Sequence, residues 1–195
     1  MKKVEILEKI YLNPGIHLRE IARRTNLSIP AVKNHIDKFL REKIITKKEE
    51  GRNVKFFINF KSRKIIPYLY QVEMFRLERL PKKVSNAVLD LLSILENKPL
   101  ITIIFGSYAR SEYTKDSDLD VLLVFNKVGM DVEIEEKTKL ICSRYYLKIR
   151  PVYFSWKEFR EKFFDSGDVF MREIRENKLI VNGIEYWVML ENEKA

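Results

Sequence analysis

Ten residues separate Gly106-Ser107 from Asp118, and Asp120 follows two positions further on. Side chains alternate sides along a strand, so carboxylates two apart share one face. The apolar run at 100–105 reads as a short buried strand. Gly106 breaks it where the backbone must turn closely, and Ser107 offers a hydroxyl and a helix N-cap. A second strand over 117–125 then presents Asp118 and Asp120 together, with Leu119 and Val121 turned into the core. Two carboxylates opposite a Gly-Ser turn suit a divalent metal that bridges to the phosphates of a nucleotide. Asp-Ser-Asp alone is ordinary turn chemistry, and a lone Gly-Ser carries little. The specificity lies in the joint order of strand, turn, short helix, loop and strand.

The elements around this run follow from hydrophobic periodicity. A helix over 83–96 packs Val84, Ala87, Val88, Leu91, Leu92 and Leu95 ahead of the Gly-Ser strand. A turn at 126–130 leads to a helix over 131–145, and 146–155 reads as a third strand. That strand contains Lys148, Arg150 and Pro151 but no acid, and Glu158 lies just past it. The tail reads as one or two helices over 156–177, then a hairpin of 179–181 and 184–190 turning at Asn182-Gly183, since Asn-Gly between apolar runs favours that turn. One cysteine, Cys142, excludes an internal disulfide and any multi-cysteine metal site, and its apolar helix suits a buried inert thiol.

The run Phe-Gly-Ser-Tyr-Ala-Arg-Ser-Glu-Tyr-Thr-Lys-Asp-Ser-Asp-Leu-Asp-Val resembles the signature of the polymerase-β-type nucleotidyltransferases in their minimal form. The family's glycine-serine and paired aspartates fall on Gly106, Ser107, Asp118 and Asp120, and Arg110 and Ser117 also stand where the family has them. Ser111 departs from a glycine common there. The resemblance implies nucleotide contacts at Gly106, Ser107, Arg110 and Ser117. It implies Mg²⁺ or Mn²⁺ held by Asp118 and Asp120, and a nucleoside triphosphate as substrate or ligand. It also implies a third carboxylate on the third strand, where this chain has Arg150; Glu158 would be a weak substitute. The activity implied is transfer of a nucleotidyl group, AMP from ATP, to a hydroxyl, with a protein acceptor such as a toxin-like partner. A domain that binds nucleotide without turnover is the alternative.

Charge is unevenly distributed. Residues 1–60 carry 14 Lys+Arg against 7 Asp+Glu, whereas residues 61–195 carry 23 against 21. The excess in the first third points to a polyanion, and the basic residues are not gathered opposite one bulky apolar helix face as membrane binding would need. Periodicity predicts helices over 3–12 and 17–25 and a third capped by Ser28, with Pro30 in its first turn and Val32, Ile36, Phe39 and Leu40 inward. Strands at 44–48 and 54–60 follow. This order, with His-Leu-Arg-Glu-Ile-Ala and Leu-Ser-Ile-Pro-Ala-Val, resembles the winged helix-turn-helix domains of archaeal and bacterial regulators. The resemblance implies double-stranded DNA as partner, with Lys33, Asn34 and Lys38 at bases or backbone and Lys47, Arg52 and Lys55 on the wing. His17 and His35 lack nearby cysteines or a carboxylate pattern, so a cap and a surface or core histidine are expected.

The expected architecture is α+β: a winged helix at 1–60, a connecting helix at 61–80, and a small mixed-sheet nucleotidyltransferase domain at 81–195. The connecting helix is apolar on most sides, which suits a place between domains or pairing with its copy in a homodimer. No apolar run approaches the roughly 20 residues that span a bilayer, and the first residues lack the apolar core of a signal peptide. A cytoplasmic location is expected.

Overall fold

Three helices and a three-stranded sheet build most of the first of two units, which runs to Phe75; the second runs from Arg76 to Leu190. The computed structural model describes residues 2–51, 53–127 and 131–194. In the first unit α1 (Lys2–Leu12), α2 (Leu18–Thr25) and α3 (Ile29–Arg41) bury Ile6, Leu7, Ile10, Ile21, Val32, Ile36 and Phe39 against one another. The Ala31 N–H donates to Ser28 Oγ at the start of α3, so a group left orphaned at the helix end is satisfied. Asn26 takes a left-handed conformation that ends α2 and sets the turn into α3.

The sheet of this unit has the order β1-β3-β2, with β1 (Ile16–His17), β2 (Ile45–Glu50) and β3 (Asn53–Ile58), all antiparallel. Periodicity starts the second helix at 17, whereas the structure ends a short strand there. Gly15, at φ +86°, lets its own N–H reach the Phe56 carbonyl, and Ile16 then pairs with Phe56. His17 stands at the N-cap position of α2, but its Nδ1 lies 2.9 Å from the Val54 carbonyl and makes no cap bond. After a 3-10 turn (Arg63–Ile65) comes α4 (Ile66–Glu78), with Pro67 as its second residue, where a missing N–H costs nothing. Its first turns belong to the first unit. Tyr68 donates to Glu42 at 2.9 Å beneath the Lys3 ammonium, and Tyr11 donates to the buried Glu73 at 3.0 Å.

The second unit contains α5 (Lys82–Ile94), β4 (Ile101–Phe105), α6 (Gly106–Arg110), β5 (Leu119–Phe125), α7 (Asp131–Tyr145), β6 (Ile149–Ser155), α8 (Trp156–Phe164), α9 (Val169–Glu176), β7 (Leu179–Asn182) and, through Leu190, most of α10 (Ile184–Lys194). Its mixed sheet runs β6-β5-β4-β7, parallel only between β5 and β6. Leu119, Val121, Leu123 and Phe125 pack with Val84, Val88 and Leu91 of α5 and Ile134 and Ile141 of α7. Alternation sends Asp120, Leu122 and Val124 to the opposite face.

The tail departs from the hairpin expected of Asn182-Gly183. The run after Gly183 is helix α10, and β7 pairs instead with β4. Gly183 sits at φ +83°, where a Cβ would fall 2.1 Å from the Leu100 carbonyl oxygen, so the glycine serves a close backbone crossing. Ile184, Trp187 and Val188, spaced three and four apart, are all buried, which is the helical stripe. Cys142 is half-buried, with the Ile149 N–H 3.4 Å from its sulfur. Among the described residues no helix is long and apolar enough to cross a membrane.

Candidate functional site

At the junction of β4 and α6 the chain turns through Gly106 at φ +67°, and directly across the sheet Phe105 pairs with Asp120. A Cβ on Gly106 would lie 2.4 Å from Asp120 Oδ2. The turn therefore lies hard against the carboxylate, and only glycine leaves room for it. Burial pushes the Asp120 carboxyl up from its ordinary range, and Asp118 and Glu173 push the same way, against Arg150 and Arg110.

The neighbouring strand supplies cations. In the parallel register Asp120 stands beside Arg150 of β6. Arg150 forms an ion pair with Asp118, and Lys148 Nζ lies 3.0 Å from the same Oδ2. Asp118 is largely sheltered while both cations are mostly exposed, at 59% and 68% of their side-chain surface. Glu158 is elsewhere. It forms a reciprocal capping box with Ser155 at the start of α8, and those hydrogen bonds hold its carboxyl below the usual range. Ser155 pairs with Phe125, roughly 16 Å along β5 from Asp120 at about 3.3 Å per residue. Glu158 does not replace the missing acid.

The other residues that the resemblance implies lie around the same turn and loop. Ser107 lies half-buried in the first turn of α6, and its carbonyl accepts the Glu112 N–H. Arg110 is tied to Glu112 at 2.8 Å and to Glu173 of α9 at 3.1 Å, which raises its already high pKa. Ser117 Oγ accepts the Thr114 N–H at 2.8 Å and closes the loop that delivers Asp118. Ser111 takes a left-handed conformation at φ 60°, which explains why glycine suits that position and shows serine tolerated there.

Three contributors escape sequence reasoning because they come from distant segments. They are Lys148, Glu173, and the buried Arg76, which donates to the Lys178 and Ala109 carbonyls and so fixes the end of α6. Tyr108 stacks on Tyr113 at 4.6 Å beneath the loop, and burial raises its hydroxyl's pKa.

Two carboxylates are a hard oxygen donor set of the kind Mg²⁺ uses together with substrate phosphates. Among the described residues no cluster of three or more His, Cys, Asp or Glu exists that could hold a metal without such help. The residues fit a metal that arrives bridged to phosphate.

In the first unit, Lys33, Asn34 and Lys38 are exposed on α3. Lys38 lies 3.8 Å from Glu42. On the wing Lys47 is paired with Glu49 at 2.7 Å and Lys55 with Glu50 at 2.5 Å. Arg52, expected on the wing, lies outside the described residues. A groove of about 1010 Å³ runs between α2, α3 and the wing, with Ile36 and Phe56 on its floor and Arg19, Arg23, Lys33 and Lys47 among its lining. Arg19 and Arg23 were not anticipated; both lie on α2, where sequence periodicity shows only an amphipathic helix.

The comparisons with known proteins divide the chain similarly. A nucleotidyltransferase domain family matches residues 83–178, and a winged helix-turn-helix DNA-binding family matches residues 2–46. Two proteins of Methanocaldococcus jannaschii, each named "Putative protein adenylyltransferase", are similar to it. MJ0141 is 35% identical over 91 residues, covering 44% of this chain and 88% of its own. MJ0604 is 42% identical over 60 residues, covering 31% and 58%. The crystal structure of a "putative nucleotidyltransferase" from Sulfolobus solfataricus aligns over 55% of this chain and 84% of its own, at 22% identity and a TM-score of 0.31. The chain belongs to the nucleotidyltransferase family, and it joins that domain to an N-terminal winged helix-turn-helix.

Proposed function

We propose that the chain is a DNA-binding nucleotidyltransferase that moves AMP from ATP to a protein hydroxyl, with Mg²⁺ or Mn²⁺ as cofactor. The observation that carries this is the contact of the Gly106 turn with Asp120, which leaves a backbone surface free of side chain next to a carboxylate pair. Such a surface suits a phosphate chain, and Ser107 and Arg110 flank it. Asp118 and Asp120 would hold the metal, which when bound neutralises phosphate charge and orients the α-phosphorus. The acceptor oxygen bonds to that phosphorus, the bond to pyrophosphate breaks, and the acceptor's proton passes to solvent water. Beside Asp120 the chain has Arg150, so β6 supplies no carboxylate to take that proton. The names of the two similar proteins support a protein acceptor and an adenylyl donor. The exposed cations of α3 support duplex DNA as partner for the first unit, with Lys33 at the phosphate backbone and Asn34 at base edges.

The test is incubation of the full chain with α-labelled ATP, Mg²⁺ and cell lysate. The expected result is label on protein, absent in Asp118→Asn and Asp120→Asn. Saturable ATP binding with no label on any macromolecule would exclude transfer. One observation favours a second reading in that event. Arg150, standing beside Asp120, suits a domain that binds nucleotide and reports it to the DNA-binding unit without turnover.

A further inference from the structure

Among the described cations, Lys148, just before β6, and Arg150, within it, pair with Asp118. Arg150 lies on β6, an edge strand, and Lys148 just precedes it with its carbonyl accepting the Leu119 N–H, so the continued pairing brings both side chains to Asp118. Each is largely exposed, so neither is fixed by packing. Each can exchange one anionic partner for another. A guanidinium matches phosphate oxygens bidentately, and a triphosphate carries more charge than one carboxylate. Both cations contact the same Oδ2 of Asp118, so a divalent metal that takes that oxygen meets two positive charges beside it.

We infer that Lys148 and Arg150 form a cationic latch on Asp118 that opposes divalent-cation binding without nucleotide and passes to the phosphates when a nucleotide enters. This rests on the nucleotide-binding reading above and deepens it. Metal without nucleotide must displace two cations and is held weakly. Nucleotide draws Lys148 and Arg150 away and leaves Asp118 free to ligate the metal that the phosphates bring. The latch thereby ties metal occupancy to nucleotide occupancy in a site where, among the described residues, no three acids gather to hold a metal alone.

The signature is a pair of effects of opposite sign. Mn²⁺ binding to the nucleotide-free chain, and ATP binding at fixed Mg²⁺, are each measured by calorimetry for wild type, Lys148→Gln, Arg150→Gln and the double variant. Removing each cation is expected to tighten Mn²⁺ alone by about fivefold, from the Coulomb energy of unit charges about 4 Å apart in water, and to weaken ATP by a similar factor. Lys157→Gln, beyond the far end of β6, should move neither. The exposed positions leave melting temperatures near wild type. Mn²⁺ and ATP affinities falling together, or neither moving, would overturn the latch. Wild type failing to bind Mg²⁺-ATP at all would instead overturn the nucleotide reading, and with it the handover to phosphate; the Mn²⁺ arm, free of nucleotide, tells the two failures apart.

Discussion

Gly106 and Asp120 share space that only one side chain can fill. A methyl at Gly106 meets Asp120 Oδ2 at 2.4 Å, and φ +67° is itself unfavourable for an L-residue by about 1–2 kcal/mol. Because the near atom ends a short side chain, Asp120 can swing aside and spare the fold most of the clash. Gly106→Ala is therefore expected to cost about 1–2 kcal/mol of stability by denaturant titration yet to lose ATP binding almost completely, since the carboxylate leaves the site. Unchanged ATP affinity in that variant would show that the turn does not contact nucleotide. Asp120 also predicts a pH effect. Its carboxyl is raised by burial, so the folded state holds the proton more tightly than the unfolded chain, whose value is about 3.9. Stability from this group is present below that value and is lost as pH rises through the folded one. Asp120→Asn should accordingly raise the melting temperature at neutral pH, with the gain vanishing on acidification toward pH 4. Asp118→Asn removes only ion pairs to exposed cations and should change stability by about 0–1 kcal/mol, downward. A melting temperature lowered by Asp120→Asn at pH 7 would mean that Asp120 is better satisfied than its burial implies.

At the scale of elements, β6 is where this chain leaves the pattern it resembles, and its register turns that departure into a rate prediction. Arg150 pairs across from Asp120, and Glu158 is spent on the cap of α8. Loss of a general base typically slows a reaction by about 10²–10⁴-fold. Label transfer should then be slow at saturating ATP, Glu158→Gln should leave it unchanged, and Arg150→Asp should accelerate it once its weaker ATP affinity is saturated; transfer no faster in Arg150→Asp at saturation would show that an acid at this position does not restore the base. The strand, turn and strand around Gly106 are legible in sequence because β-branched runs, one glycine and two spaced aspartates each demand that local geometry. The absence of an acid from β6 is legible for the same reason, since strand register follows from alternation. Lys148, Glu173 and Arg76 are not, because their partners lie 30 or more residues away. The tail misleads for a different reason: the largely apolar run at 184–190, broken only by Glu185, reads as strand or helix alike, and Asn-Gly tips the choice toward a hairpin. The burial of Ile184, Trp187 and Val188 decides for helix. Gly183→Ala, with its methyl 2.1 Å from backbone that cannot rotate away, should cost more than Gly106→Ala, at least about 3 kcal/mol.

Across the whole molecule charge separates the tasks. Net charge is +9, and residues 1–60 account for +7 of it. Not all of those cations are free to meet DNA. The wing's Lys47, Lys48 and Lys55 are each paired with Glu49 or Glu50, whereas Lys33 on α3 and Arg19 on α2 have no such partner among the described residues. A cation already neutralised by its own chain releases fewer counterions on meeting phosphate, because a carboxylate must be left exposed to the same backbone. Duplex affinity in the full chain should therefore fall several-fold in Lys33→Ala and Arg19→Ala and much less in Lys47→Ala. Each of the first two should reduce the slope of log affinity against log salt by up to about 0.9. Asn34→Ala should act otherwise, lowering discrimination between sequences with the slope unchanged, because a neutral amide reads base edges and does not neutralise phosphate. Titrations of labelled duplex at three or four salt concentrations measure both quantities. If Lys47→Ala reduced the slope as much as Lys33→Ala, the wing's ion pairs would have to open on DNA, and the wing would share the phosphate contacts with α3.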